Sequence, residues 1–330
     1  MKKKTGRYCM RTVVTFVSKT PVPVCGLALA FASLDMFLSQ NYKFYTFSIC
    51  ALISVILIVL FTLRAVLDID GLRKELNSPV VFGVLPTYCM TLMLLSSYAY
   101  KYIGQMAVLI WASAVVLSFV MMFFFVKKFV LGLDIKNVFP SWFVMFIGFI
   151  AASVTSPIFG VTAIGKVILF AGLIMYFIIT PIILYRVVVI RGIPEPAVPN
   201  IAIFAAPMNL CIVGYFMAFG ADVNGTAVAV MSAIGIVSYA AVLVCLPFLL
   251  RIKFHPSYAA FTFPLVISMV SIRRLGVFYG VSNNGVFSAF QTLTVIIAVL
   301  MVAYVFIRFL IMFCGTARNL KGCTDVMNTP

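Results

Sequence analysis

Ten apolar runs, each close to twenty residues long, follow one another along this chain, with charged or proline-rich stretches between them. A bilayer core about 30 Å thick takes roughly 20 residues of α-helix, and a helix satisfies its own backbone hydrogen bonds there. Approximate limits are 21–41, 44–66, 79–100, 104–126, 139–157, 163–185, 198–219, 225–250, 256–276 and 286–312. Composition points the same way: of 330 residues, 64% are hydrophobic and 10% charged, against about 45–50% and about 25% in a soluble domain. The sequence therefore predicts an all-α integral membrane protein with ten transmembrane helices. The membrane domain is expected over 21–313, between tails at 1–20 and 314–330.

The 24 Lys and Arg residues outnumber the eight Asp and Glu, for a formal charge of +16. Nineteen of the basic residues fall in the N-terminal tail, in the connections after spans two, four, six and eight, and at the C-terminal end. Only five, Lys43, Lys101, Lys166, Arg273 and Arg274, fall on the other side. By the positive-inside rule both termini are cytoplasmic, as in a multi-pass protein of the cytoplasmic membrane. The excess charge is thus a topology signal, and with no basic and aromatic module beside it no nucleic-acid partner is expected. The eight cysteines form no C-x-x-C, and the one histidine, His255, stands next to the basic Arg251 and Lys253 with no nucleophile or carboxylate partner that is recognisable. No metal, cofactor or enzyme active site is expected.

A repeat is written in prolines. Each odd-numbered span opens on one, in "KTPVPVCGLAL", "NSPVVFGVLPT", "VFPSWFVMFIG", "AVPNIAIFAAP" and "FHPSYAAFTFP", and the steps from Pro21 through Pro79, Pro140 and Pro199 to Pro256 are 58, 61, 59 and 57 residues. Proline in the first turn of a helix is tolerated because that N–H has no intrahelical partner. The regular step predicts five tandem helical hairpins. A second set, Pro86, Pro207 and Pro264, lies inside the odd spans and is expected to kink them. The kinked odd helices, with Gly26, Gly83, Gly148 and Gly214, suit an inner ring of five around a central pore. The even helices, richer in Leu, Ile, Val and Phe, suit a lipid-facing outer ring.

All five odd helices start at the cytoplasmic face, so their positive dipole ends are expected to gather anions there. Ionisable residues are nearly absent from the middle of the spans. Asp35 and Asp222 are expected to be solvated or capped helix ends, and Arg273 and Arg274 are either interfacial anchors or an outer vestibule that collects anions. Aligning the odd spans on their inner prolines puts Ala28, Leu85, Ile147, Ala206 and Phe263 at one level as pore-lining candidates. One aromatic ring among four smaller side chains would plug a narrow lumen; the bland alternative is that Phe263 is one of 32 phenylalanines packing against neighbours.

These residues carry a resemblance. "AFTFPLV" at 260–266 is similar to the ninth-helix pattern of the tellurite-resistance/dicarboxylate transporter family, the TehA proteins and their relatives the plant slow-type anion channels. "CGLALAFASL", "SPVVFGVLPTYCMTLM", "FPSWFVMFIGFIAAS" and "AAPMNLCIVGYFMAFG" resemble the other odd helices of that family in order and spacing. The resemblance implies a ten-helix protein with a five-helix pore, assembled as a homotrimer, in which the phenylalanine matched by Phe263 occludes the path of monovalent anions such as chloride and nitrate. It also keeps an alternative open, a secondary transporter or exporter of C4-dicarboxylates such as malate, or of oxyanions such as tellurite. Two departures bear on pore width: the first span reads "TPVPVCGLAL" without an aromatic-glycine pair, and Leu85 stands where an aromatic is common.

Overall fold

The computed structural model describes residues 14–42, 49–132 and 134–327. Residues 1–13 of the expected N-terminal tail, Lys43 and residues 328–330 lie outside the described residues. Among those described there are helices and connections and no strand. Ten apolar elements follow in chain order: α1 (Val24–Tyr42), α2 (Ile49–Leu67), α3 (Pro79–Ile103), α4 (Gln105–Val130), α5 (Trp142–Phe159), α6 (Thr162–Ile190), α7 (Glu195–Phe219), α8 (Gly225–Leu249), α9 (Pro256–Phe278) and α10 (Gly285–Met327). Nine are long and apolar enough to cross a bilayer, and α1 has a shorter apolar stretch over Val24–Ser39. A multi-pass membrane protein is the physical consequence, since so many apolar side chains on the outside of a helical bundle have no other solvent.

The elements fall into two kinds. α2, α4, α6, α8 and α10 each run as one helix, α4 and α6 closing on a wider π turn at Val126–Val130 and Arg186–Ile190. Pro181 and Pro247 sit inside α6 and α8 without ending them. Four of the odd elements are instead broken. α3 is helical over Pro79–Val84 and again over Thr87–Ile103, α7 is 3₁₀ over Glu195–Ala205 before its α-helix starts at Pro207, and α9 is 3₁₀ over Pro256–Phe261 before Phe263. An inner proline has no N–H for the residue four before it and its ring crowds that carbonyl, so the preceding turn tightens. The backbone records this: Leu85 N–H donates to Phe82, Ala206 to Ile203 and Thr262 to Ala259, each three residues back. α5 breaks without an inner proline, through a 3₁₀ turn at Gly148–Ile150. α1 begins later than expected because Pro21 and Pro23 lie in the turn that leads into it.

Burial separates the same two kinds. In their most apolar windows α3, α5, α7 and α9 are 61–78% buried, whereas α2, α4, α6, α8 and α10 are 22–33% buried. The buried elements pack on one another: α1 against α3 and α9, α3 against α5, α5 against α7, and α7 against α9. Small residues permit this approach. A Cβ on Gly83 of α3 would stand 2.6 Å from Ser141 Oγ just before α5, and one on Gly148 of α5 would stand 2.9 Å from Met90 Sδ of α3.

Polar ties fix the packing where no water competes. Asn209 of α7, 1% exposed, donates through Nδ2 toward the Ala205 carbonyl, the Gly235 carbonyl of α8 and Ser268 Oγ of α9. Ser54 Oγ of α2 donates to the Ala28 carbonyl of α1 at 2.7 Å, and Trp111 Nε1 of α4 to Thr155 Oγ1 of α5 at 2.8 Å. Near the end of α2, the buried guanidinium of Arg64 makes a two-pronged pair with Glu75, at 2.5 and 3.1 Å, and also donates to the Thr20 carbonyl. That pair clamps the short helix Ile69–Glu75 to the chain entering α1.

Candidate functional site

Because the broken elements lie against one another with their helices split and tilted, space is left among them. A wide cavity, of about 560 Å³, is lined by Gly26 of α1, Val84, Thr87 and Met90 of α3, Ile147 and Gly148 of α5, Asn200, Ala206 and Leu210 of α7, and Ala260, Phe263 and Pro264 of α9, with others. No residue of α2, α4, α6, α8 or α10 lines it. Its lining also includes the chain at the starts of the odd elements, Pro21, Pro79, Phe139, Pro196 and Pro256, together with Glu75 and His255.

Beyond Phe263 lies a chamber of about 30 Å³, room for one or two water-sized particles. It too is lined by odd elements alone: Ser33, Met36 and Phe37 of α1, Leu94 of α3, Ala151 and Val154 of α5, Leu210 and Val213 of α7, and Phe263, Ile267, Val270 and Arg274 of α9. A third cavity, of about 360 Å³, is walled by Phe37, Phe216, Gly220, Val223, Val270, Arg273, Arg274, Val277 and Phe278. The three spaces share walls in sequence. Phe263 and Leu210 stand between the wide cavity and the chamber; Phe37, Val270 and Arg274 stand between the chamber and the third cavity.

The sequence-expected residues are distributed as follows. Phe263, 8% exposed, Ile147 and Ala206 line the wide cavity, with Pro207 and Pro264 beside them. Arg273 and Arg274 line the third cavity. Ala28, Leu85 and Pro86 line none of the three. Ala28 is fully buried and its carbonyl receives the Ser54 hydroxyl of α2; Leu85 is 6% exposed. Gly26 and Thr87, two residues away from each, take the lining position instead. A proline alignment sets the depth of a residue, but two residues are about 200° of helix rotation, so depth does not set the face.

The lining stripe nevertheless has a helical period once one member is known. Along α9 it runs Ala260, Phe263, Ile267, Val270, Arg274, and along α7 Ile203, Ala206, Leu210, with Val213 next in the chamber. Steps of three and four residues from Phe263 were the available signal for the others. Phe261 falls off that stripe: it is fully buried and packs edge-on against Tyr258 at 4.9 Å. Asp35 departs from the expectation of a solvated end, being 4% exposed with Oδ1 lacking a hydrogen-bond partner, whereas Asp222 is exposed.

The ionisable side chains that line this series of spaces are Glu75 and His255 at one end and Arg273 and Arg274 at the other. Everything between them is apolar, small or an uncharged amide or hydroxyl. A lining of this kind suits the passage of a small solute with most of its water removed.

Fold and site together define a multi-pass helical membrane protein with an internal path, of the transport class. Residues 22–310 match the family model of SLAC1, described as voltage-dependent anion channel, and the chain belongs to that family. Its activity is anion transport by channels or transporters. No curated protein matches the chain.

Proposed function

We propose that the protein is an anion channel of the cytoplasmic membrane through which chloride, nitrate and similar monovalent anions pass passively, with Phe263 as the gate. In this reading the five odd elements form a ring around the pore, each followed by the even partner it packs against, and the wide cavity is the cytoplasmic vestibule. Ile147 and Ala206 line the approach, Pro207 and Pro264 hold the breaks that open it, and Arg273 and Arg274 form the outer vestibule. Both termini are cytoplasmic by the positive-inside rule, and the functional unit is a homotrimer, as the family resemblance implies.

The observation that carries this reading is the place of Phe263 in the wall shared by the wide cavity and the narrow chamber. A ring there excludes water while it lies across the path, and its electropositive edge tolerates an anion when it turns aside. The rival reading, a coupled carrier of C4-dicarboxylates or oxyanions, calls for a titratable relay inside the membrane. The lining between Glu75 and Arg274 holds none.

The test is chloride and nitrate current from purified protein in planar bilayers, with and without Phe263→Ala. A small current that becomes large and anion-selective in the variant is expected. Silence from both, with proteoliposomes that concentrate malate under a proton gradient, would replace the channel with the carrier.

A further inference from the structure

Two arginines, Arg64 and Arg186, are buried and a third, Arg274, is partly buried, and the three are treated differently. Arg64 is satisfied by Glu75 and the Thr20 carbonyl. Arg186, 3% exposed, donates to the carbonyls of Lys136 and Arg191 and lies 5.8 Å from the Phe139 ring centroid. Arg274 has neither: it takes part in no ion pair or hydrogen bond among the described residues, and its Nε is buried without a partner. Leaving a guanidinium without acceptors inside a bilayer is costly unless an acceptor arrives from elsewhere.

We propose that Arg274 is an anion-binding site within the pore, and that it takes anions presenting two coplanar oxygens, nitrate or a carboxylate, in preference to chloride. The proposal rests on the channel reading above and names the anion class of that same path. Arg274 belongs to the walls of both the narrow chamber and the outer cavity, so an anion passing Phe263 meets the guanidinium after one or two water-sized positions. A snorkelling anchor would only turn its head outward to the interface, whereas this side chain also lines the narrow chamber beneath the outer recess. The surrounding wall of Phe37, Val270 and Ile267 is apolar, which strengthens a charge-assisted hydrogen bond relative to water.

The fork of N–H donors on a guanidinium matches a planar two-oxygen anion in two parallel bonds, and a spherical halide uses that geometry less well. Arg273, its neighbour, lines only the outer cavity and is assigned the looser part of drawing anions in.

The experiment is done in the Phe263→Ala protein, where current is large, by measuring permeability ratios from reversal potentials. Arg274→Lys keeps the charge and removes the fork. The nitrate-to-chloride and formate-to-chloride ratios are expected to fall by about tenfold, the lower weight of one charge-assisted hydrogen bond, while the bromide-to-chloride ratio, set by dehydration, stays unchanged. If only the nitrate ratio or only the formate ratio falls, the shared two-oxygen chemistry is wrong and the proposal is overturned. It is also overturned if current persists with all three ratios unaltered. No anion current of any kind from Phe263→Ala protein removes the channel reading itself, and this site with it. Where Arg274→Lys does not reach the membrane, the same protein with Arg274 intact decides. Nitrate added in small amounts at the outer side should depress chloride current below the value for either anion alone, and a monotonic change between the two values argues against the site.

Discussion

α3 and α4 are neighbours in the chain and in space, 25 and 26 residues long, yet they are built for opposite surroundings. α3 is broken at Pro86, carries Gly83 at a close approach and is 61% buried; α4 has neither proline nor an interior glycine and is 22% buried. The buried one is the less hydrophobic, and the same holds when α5, α7 and α9 are set against every even element. In a bilayer the usual equation of apolar with inside is reversed, because lipid tails are as apolar as Leu and the interior is sorted by size and shape instead. Kinks, glycines, Ser, Thr and Asn mark the inside of this molecule, and uninterrupted aliphatic surface marks its outside.

Substitutions can break that contrast, and the largest effect is expected on α9. Phe263→Ala should raise anion current many-fold with little loss of fold, while Phe261→Ala, two residues away and fully buried, should lower melting temperature and membrane yield by the scale of a lost core phenylalanine, about 3–5 kcal/mol, with current little changed. Equal effects on current would mean that the wrong face of α9 is assigned to the path. Next is Gly83→Leu. Its first carbon alone meets Ser141 Oγ at 2.6 Å, and overpacking of about 1–3 kcal/mol should appear as a lower detergent melting point, with a smaller loss in Gly83→Ala.

Asn209→Leu sharpens the comparison from the polar side. It removes the bonds that join α7 to α8 and α9, each worth about 0.6 kcal/mol in a membrane interior, so a fall in melting temperature short of the Gly83→Leu effect is expected. The smallest effect belongs to α4: Leu109, 63% exposed, should tolerate Ala with a change within about 0.5 kcal/mol. A large loss there would show that this face is covered by another subunit rather than by lipid, and crosslinking across it would identify the contact.

Much of the fold is legible in the residues. The limits of the apolar runs agree with the helices to within a few residues over most of the chain, and Pro86, Pro207 and Pro264 announced three of the four breaks. The break in α5 at Gly148–Ile150 had no such sign. For the site, Ile147, Ala206 and Phe263 come together at the wide cavity, but Gly26 and Thr87 hold the places assigned to Ala28 and Leu85. Depth along a span follows from counting residues at 1.5 Å each; rotation around it depends on where each broken helix resumes, which no local pattern dictates. Asn200, Leu210 and Met90 were missed for the same reason.

By itself the sequence determined the solvent, the approximate limits of the apolar helices and three of the four breaks in the odd elements, since each depends on chain length, hydrophobicity or a missing backbone N–H. Only the tertiary structure decided which faces meet inside, that Phe263 stands between two cavities, and that Arg274 is left without a partner at the end of one of them. Those properties are made by atoms from α1, α3, α5, α7 and α9, tens to hundreds of residues apart, and they exist only once those elements are packed.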